Sequence, residues 1–533
     1  MYSAGLDLGT TNSLLCLLND ETDHEPEFFH FDTNTRDFFP TAVAYDKDGK
    51  VLIGNAAKKK QMNKQYDYYE AFKLKLNEQA GLLNDRERTP IKVTEDFLHE
   101  LFSKLEHERN ITFSKIVQTV PDVWQNESDY RNATERLTEI YQKFGIEPGD
   151  NFFLESEPVA AAAYYCQKCG KGKYNGYIIT VDYGGGTLDL TLCRVDPDGT
   201  ITPLRRCGSG GAAGGLAGKA FDAALTVRII EKYHCPKSYK EENRKFIRLC
   251  NEVEDEKITC TEQTTLSLAD YYKSDGFLDQ AAFTVADPFD DEQDDFMVAA
   301  SDIAQTFDIV NKKSLTEEIQ KMISYCGELK IDIDSQEHMR ILMVGGFSNL
   351  YCVENTVQEL FHSAAGLNDK RFDTVVISRH ERSLAIAYGA CLIASGIVPV
   401  QHVSKYEIGI YAYKRNVEGQ IEIPMIERDH PIQDYREICY FPNKFKIFPS
   451  TWDSKLKLYF DDGSGRRPVY TDQSLEQLCP HMREDCDEYE IGFSIDYKNC
   501  PFLHIKSADG ESVSHSLKDL LERISLQIVL AAE

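Results

Sequence analysis

Nowhere does the sequence approach the roughly 18 consecutive apolar residues that a membrane-spanning helix requires. Its first residues, MYSAGLDLGTTNSLLCLL, carry neither a basic flank nor a small-residue cleavage site, so they do not read as a secretory leader. The expectation is a cytoplasmic protein with no membrane contact. Positive charge is also short: 59 Lys+Arg stand against 87 Asp+Glu, a formal net charge of −28. A field of that sign repels phosphate backbones and anionic lipid, and basic runs are as brief as Lys58-Lys59-Lys60. Nucleic acid is not an expected partner. A disulfide framework is missing too, because the 15 cysteines are odd in number and irregularly spaced, which suits free thiols in a reducing compartment. Cys166-x-x-Cys169 has no second pair to complete the roughly four ligands of a zinc site, so helix-end packing is expected there. The same reading covers Cys479, His481 and Cys486.

What is present is a chain of 533 residues, 42% apolar, longer than one hydrophobic core serves, so two to four domains are expected. Residues 5–18 and 176–195 each read as strand, tight turn, strand. Charged segments with apolar positions at helical spacing predict helices over 55–80, 94–109 and 127–144. A β-rich run at 115–121 ends in proline, a small-residue helix follows at 158–166, and a buried strand at 340–344 leads into a helix over 350–363. Alternating strands and helices indicate an α/β architecture. The acidic run 287–295 reads as a solvated loop or a helix start. Beyond Gly396 the texture changes: 404–508 holds short Tyr-, Phe-, Ile- and Val-rich runs broken by Asp-Gly and Pro, which suits antiparallel β structure. Residues 515–533 predict an amphipathic helix with Leu517, Leu520, Leu521, Ile524 and Ile528 on one face.

The informative feature is an internal repeat. Leu6-Asp7-Leu8-Gly9-Thr10-Thr11 recurs, with one extra glycine, as Val181-Asp182-Tyr183-Gly184-Gly185-Gly186-Thr187. In each copy an acid ends a strand, glycines let backbone approach an anion, and threonine offers a hydroxyl. Acid with glycine suggests phosphate with Mg²⁺, an ion that keeps several waters and takes few direct protein ligands. Two copies imply a two-lobed site. A third glycine turn, Gly345-Gly346, sits between a strand and a helix, where it is either an ordinary connection or a nucleotide contact. The glycine-rich stretch 208–218 matches neither a GxGxxG after a strand nor a Walker A motif and reads alone as a flexible loop.

GLDLGTTNS, Glu157-Pro158 within LESEPVAAAAYY, VDYGGGTLDLTL, Gly218-Lys219-Ala220-Phe221-Asp222 and MVGGFSN together resemble the nucleotide-binding domain of the heat-shock protein 70 (DnaK-like) chaperones, members of the actin-like ATPase superfamily. The resemblance spans about residues 1–397. It implies an α/β fold of two duplicated RNase H-like lobes, 1–175 with a peripheral subdomain at 39–110 and 176–397 with one at 229–300, followed by a small, mostly β domain over 398–533. It also implies ATP or ADP with Mg²⁺ as ligands. Gly9, Thr10, Thr11 and Asn12 resemble the first phosphate loop, Gly184, Gly185, Gly186 and Thr187 the second, and Gly214, Gly215, Gly345 and Gly346 contacts from the other lobe. Asp7, Glu157 and Asp182 would surround the Mg²⁺ waters. Lys73, Glu157, Asp182 and Thr187 would serve hydrolysis, with Lys73 at the γ-phosphate and the attacking water; read alone, Lys73 is a solvated helix lysine and Glu157 a first-turn acid. Glu254 and Lys257 would hold the ribose.

The chain departs from the family pattern in two places. Ile258 and Asn349 stand where stacking arginines are expected, and Phe347 where a serine is, which puts base recognition in question. Ile397-Val398-Pro399-Val400-Gln401-His402-Val403 lacks the leucine-rich linker, and about 136 residues follow Ile397, enough for a small β domain and one helix but too few for a sandwich with a full lid. The resemblance implies a slow ATPase acting as a chaperone-like switch on a protein client, with or without a co-chaperone. Its alternative is a filament-forming actin-like ATPase or a small-molecule kinase of the same superfamily.

Overall fold

Two sheets of like topology organise one compact unit, Met1–Pro399; Val400–Glu533 forms a second. The computed structural model describes the chain except residues 23–24, 32–36, 77–87, 127–130, 150, 170–171, 211–216, 291–294, 334, 336, 365–376, 415–416, 449–450, 464, 480–487, 497–498, 522 and 524–533. In the first sheet the order is Glu27–Phe28, Asn12–Asn19, Tyr2–Leu8, Phe113–Val120, Phe152–Ser156. Tyr2–Leu8 pairs antiparallel with Asn12–Asn19 and parallel with Phe113–Val120. The second sheet runs Ile201–Gly210, Thr187–Val195, Gly176–Tyr183, Met339–Val344, with Gly176–Tyr183 again antiparallel to its hairpin partner and parallel to the strand beyond. The repeat seen in the sequence is thus a repeat of sheet topology. Its two turns join the central strand of each sheet to its antiparallel neighbour.

Both central strands are apolar almost throughout, as strands covered on two faces must be. The covering helices approach closely because their contact residues are small. Glu157–Tyr164 follows Phe152–Ser156 directly, with Ser156 Oγ accepting the Val159 N–H at 3.3 Å and Pro158 in its first turn, a favourable start for a helix. Its alanine run meets the helix Arg379–Ala394, where a Cβ on Gly389 would lie 1.7 Å from Ala160 O. Arg379–Ala394, started by a Ser378/Glu381 capping box, lies with its other side on the first sheet. There a Cβ on Gly5 would lie 2.2 Å from both Ala387 O and Cys391 N.

Several local expectations change. The helix expected over 55–80 is only Gly54–Lys58; Asp67–Glu70 is a strand paired with Ala42–Tyr45, so sheet pairing overrides helical charge spacing. Ala71, at φ +53°, then opens a short 3₁₀ turn, Phe72–Lys75, and 77–80 lie outside the described residues. The other two helices are Pro90–Arg109 and Arg131–Lys143. Asp287, expected in solvent, is buried, with the Tyr239 hydroxyl 3.0 and 2.9 Å from its two carboxylate oxygens. Cys166 and Cys169 lie in a π-helical turn that ends the Glu157–Tyr164 helix.

The second unit contains two antiparallel sheets. One runs Gln420–Ile426, Glu407–Tyr413, Lys455–Asp461, Arg467–Ser474; the other is built on Glu488–Ile495, Pro501–Ser507 and Ser512–Ser516. Ile408, Ile410, Leu458 and Phe460 of the first share one core with Ile491, Phe493, Leu503 and Ile505 of the second, so the unit is a β-sandwich. Residues 515–516, expected to open a helix, close the last strand; helix begins only after Leu517, and Ile524 and Ile528 lie outside the described residues. Among the described residues no helix is long and apolar enough to cross a membrane.

Candidate functional site

The first and second glycine turns open into one cleft of about 250 Å³. Gly9, Thr10, Thr11 and Asn12 line it from the first sheet, and Gly184, Gly185, Gly186 and Thr187 from the second. Gly345 and Gly346 contribute from the turn after Met339–Val344. The two turns nearly touch: a Cβ on Gly186 would fall 2.7 Å from Thr10 Oγ1, and one on Gly185 2.9 Å from Thr11 Oγ1. Any larger residue there would push the neighbouring side chains aside. Gly345 also needs its left-handed φ of +82°, and a Cβ there would meet Asp182 Oδ1 at 2.5 Å. Gly214 and Gly215 lie outside the described residues.

The cleft floor carries charge. Asp7 and Asp182 are each the last residue but one of a central strand, Glu157 opens its helix, and Lys73 enters on the 3₁₀ turn. Lys73 Nζ donates to Glu157 Oε1 at 2.6 Å, with both side chains buried. Burial, then the Glu157 charge, pushes the Asp7 carboxyl up to about 7 against the opposing pull of Lys73 and Thr119. Burial, then Glu157, Asp189 and Asp7, pushes Asp182 well above the carboxylate range. One lysine thus faces three carboxylates, an arrangement that calls for a further cation. Two buried oxygens in the cleft wall, Asp182 Oδ2 and Thr11 Oγ1, have no hydrogen-bond partner among the described residues. Excess carboxylate, unpaired oxygens and a glycine cradle fit a phosphate group accompanied by Mg²⁺.

A pH dependence follows. An acid whose folded pKa is raised is protonated in the folded protein but ionised in the unfolded chain between the two values, so stability falls as pH rises through that window. For Asp7 the window runs from 3.8 to about 7. In the absence of nucleotide and Mg²⁺, Asp7→Asn is expected to melt higher than wild type at pH 7.5 and equally at pH 3.5, measured by thermal denaturation. A constant difference across pH would contradict the assigned environment.

The far end of the cleft is lined by Glu254, Lys257, Ile258, Thr261, Asn349 and Arg382, among others. Lys257 Nζ is ion-paired with Asp222, and Lys219 Nζ lies 3.6 Å from Glu254. Burial raises Asp222 to about 6 despite Lys257. Burial also pushes Glu254 up, but Lys219 and Lys257 outweigh it and hold its carboxyl below the ordinary value. Ile258 is 53% exposed, whereas Phe347, which also lines the cleft, is buried edge-on to Tyr183, ring centroids 4.9 Å apart.

Two polar residues escaped the sequence reading. Asp189 is the register partner of Asp182 and accepts the Val123 N–H at 3.0 Å; its place two residues after Thr187 in the second repeat was the available signal. Arg382 is fully buried, donating to Ser348 O at 2.9 Å and lying 3.3 Å from Glu354. No local pattern marks it, because its partners are more than twenty residues away.

Comparison with known proteins places this geometry in a lineage. The family described as Hsp70 protein matches residues 72–408. The chaperone protein DnaK of Metamycoplasma hominis is 25% identical over 506 residues, covering 93% of this chain and 75% of the relative. DnaK of Thermosipho melanesiensis is 24% identical over 518 residues, 95% of this chain and 78% of the relative. DnaK of Endomicrobium trichonymphae is 31% identical over 231 residues, 43% of this chain and 35% of the relative. The longer alignments run well into the second unit. With a family match over more than half its length and a duplicated two-sheet cleft carrying the glycine turns, the chain belongs to the Hsp70 family and is a divergent Hsp70-like chaperone.

Proposed function

We propose that the chain binds ATP with Mg²⁺, hydrolyses it slowly, and uses the cycle to switch the state of its β-sandwich toward a protein client. The observation that supports this reading is the convergence of both glycine turns on one cleft floored by Asp7, Glu157, Asp182 and Lys73. Residues 1–175 and 176–397 act as two lobes, with 39–110 and 229–300 as their peripheral parts. Thr10, Thr11 and Gly184–Gly186 hold the phosphates, and Glu254 and Lys257 the ribose. Asp7, Glu157 and Asp182 would hold the ion through its water shell. When bound, Mg²⁺ supplies positive charge at the phosphoryl oxygens.

Phosphoryl transfer to water needs positioning and charge compensation more than covalent chemistry. Lys73, fixed by Glu157, places its ammonium at the γ-phosphate, where its charge opposes the developing negative charge. Asp182 or Glu157 orients the attacking water and accepts its proton late in the step. Thr187 lines the same wall as the second phosphate loop. The switch requires ATP to bind one lobe arrangement better than the other. The remaining features of this reading are a cytoplasmic location and a protein client or co-chaperone as the partner.

The test is ATP turnover with and without Mg²⁺, together with limited proteolysis around residues 397–405. Phosphate release that stops on addition of EDTA, and cutting that changes when ATP is present, are the expected results. Identical digestion with and without nucleotide would remove the switch from this proposal. Turnover indifferent to EDTA would remove the ion.

A further inference from the structure

Among the described residues Lys73 is the only lysine on the acidic floor, and its long, flexible side chain has one direct hydrogen bond there, to Glu157. The indole of Trp124 packs beside it, with Lys73 Nζ 5.6 Å from the ring centroid. Trp124 is 1% exposed, within a small core of Leu76, Val120, Val123, Ala133 and Leu137. It is not among the residues lining the cleft. The ring belongs to the short helix Val123–Asn126, which follows the strand Phe113–Val120; the Trp124 backbone N–H donates to Pro121 O at 3.1 Å. One residue earlier, the Val123 N–H donates to Asp189 Oδ1 at 3.0 Å, and Asp189 is the register partner of Asp182 in the second sheet. A Cβ on Gly208 would lie 3.2 Å from both Val123 Cγ1 and Asp189 Oδ1, so this junction is tightly packed.

We infer that Trp124 is a positioning residue for Lys73: its ring face fixes the ammonium against Glu157, and the backbone N–H of the preceding Val123 ties the turn that carries the ring to the second sheet through Asp189. A cation over an indole face is attracted by the ring quadrupole, most strongly where water is excluded. Lys73 and Trp124 are both buried, so solvent screens this attraction little. A leucine fills the apolar space but offers no quadrupole, leaving the ammonium free to take other rotamers toward Asp7 or Asp182. A phenylalanine keeps a ring face. The inference rests on the ATPase reading for its kinetic consequence, though the contact can be tested without it.

The experiment compares Trp124→Leu and Trp124→Phe for kcat, KM and ADP affinity. The expected result is a fall in kcat of about tenfold for the leucine variant, with KM and ADP affinity unchanged because Trp124 lies outside the cleft wall. The phenylalanine variant should restore most of the rate. A second measurement uses the protein's having two tryptophans: in a Trp452→Phe background, the emission of Trp124 should shift on Lys73→Met in the absence of any nucleotide. Unchanged emission overturns the contact, even if the wild type proves to have no ATPase activity. Wild-type turnover in Trp124→Leu, or equal losses in both variants tracking their melting temperatures, overturns the positioning role.

Discussion

Asp182→Asn is expected to lower ATP turnover by about 100-fold or more while raising the melting temperature of the nucleotide-free protein. The two effects have one cause. Asp182 lies at the end of a buried central strand, facing Glu157, Asp7 and Asp189, and burial together with their charges holds its carboxyl well above its ordinary range. An ionised carboxylate there is costly to fold around, and a buried group of this kind is retained when function requires its charge. Asparagine keeps the shape, cannot accept the water's proton, and contributes no charge to an ion's water shell. Because the raised folded pKa makes the wild type lose stability as pH rises above the unfolded value of 3.8, the stability gain should grow with pH. Phosphate release and thermal melts from pH 4 to 8 measure both. A variant that loses turnover and stability together would indicate disruption of the fold rather than removal of a functional charge. The rise in melting temperature produced by Mg²⁺ and ADP should also shrink, since ligand stabilisation scales with affinity for the folded state.

Gly389→Ala has the largest expected effect on stability. A single added methyl would stand 1.7 Å from Ala160 O and 2.6 Å from Ala160 C. The obstacle is backbone, so no rotamer change relieves it; the helices Arg379–Ala394 and Glu157–Tyr164 must separate. On the opposite side Arg379–Ala394 is pressed against Gly5 of the first central strand, which leaves it no room to retreat. Overpacking of this kind costs about 3 kcal/mol or more. Unfolding in urea, followed through Trp124 in the first unit and Trp452 in the second, tests it. The Trp124 transition should move to much lower denaturant, while the Trp452 transition, reporting a β-sandwich with its own core, should stay in place. Coincident, unshifted transitions would refute the close helix contact.

How much of this was legible beforehand depends on the range of the interaction. The two Asp-Gly-Thr repeats announced a duplicated site, since a glycine turn after an apolar strand is a local pattern and its duplication is visible in one dimension. The change of texture after Gly396 was legible for the same reason: alternation and turn residues are local. The helix expected over 55–80 failed because its charge spacing was outweighed by pairing of Asp67–Glu70 with Ala42–Tyr45, a contact more than twenty residues away. Lys73, read by itself, is a surface lysine; burial against Glu157 and Trp124 gives it another character.

By itself, then, the sequence determined which residue types were available for phosphate and metal chemistry, that they came in two copies, and that a β-rich unit followed. Periodicity, turn propensity and repetition act over a few residues and can be read along the chain. Only the tertiary structure decided that both turns face one cleft, that three carboxylates share one lysine, and that Asp189, Arg382 and Trp124 stand behind the site. Those facts depend on the packing of Arg379–Ala394 across the first sheet and on strand registers joining distant segments, and desolvation and Coulomb interaction are set by such distances rather than by order in sequence.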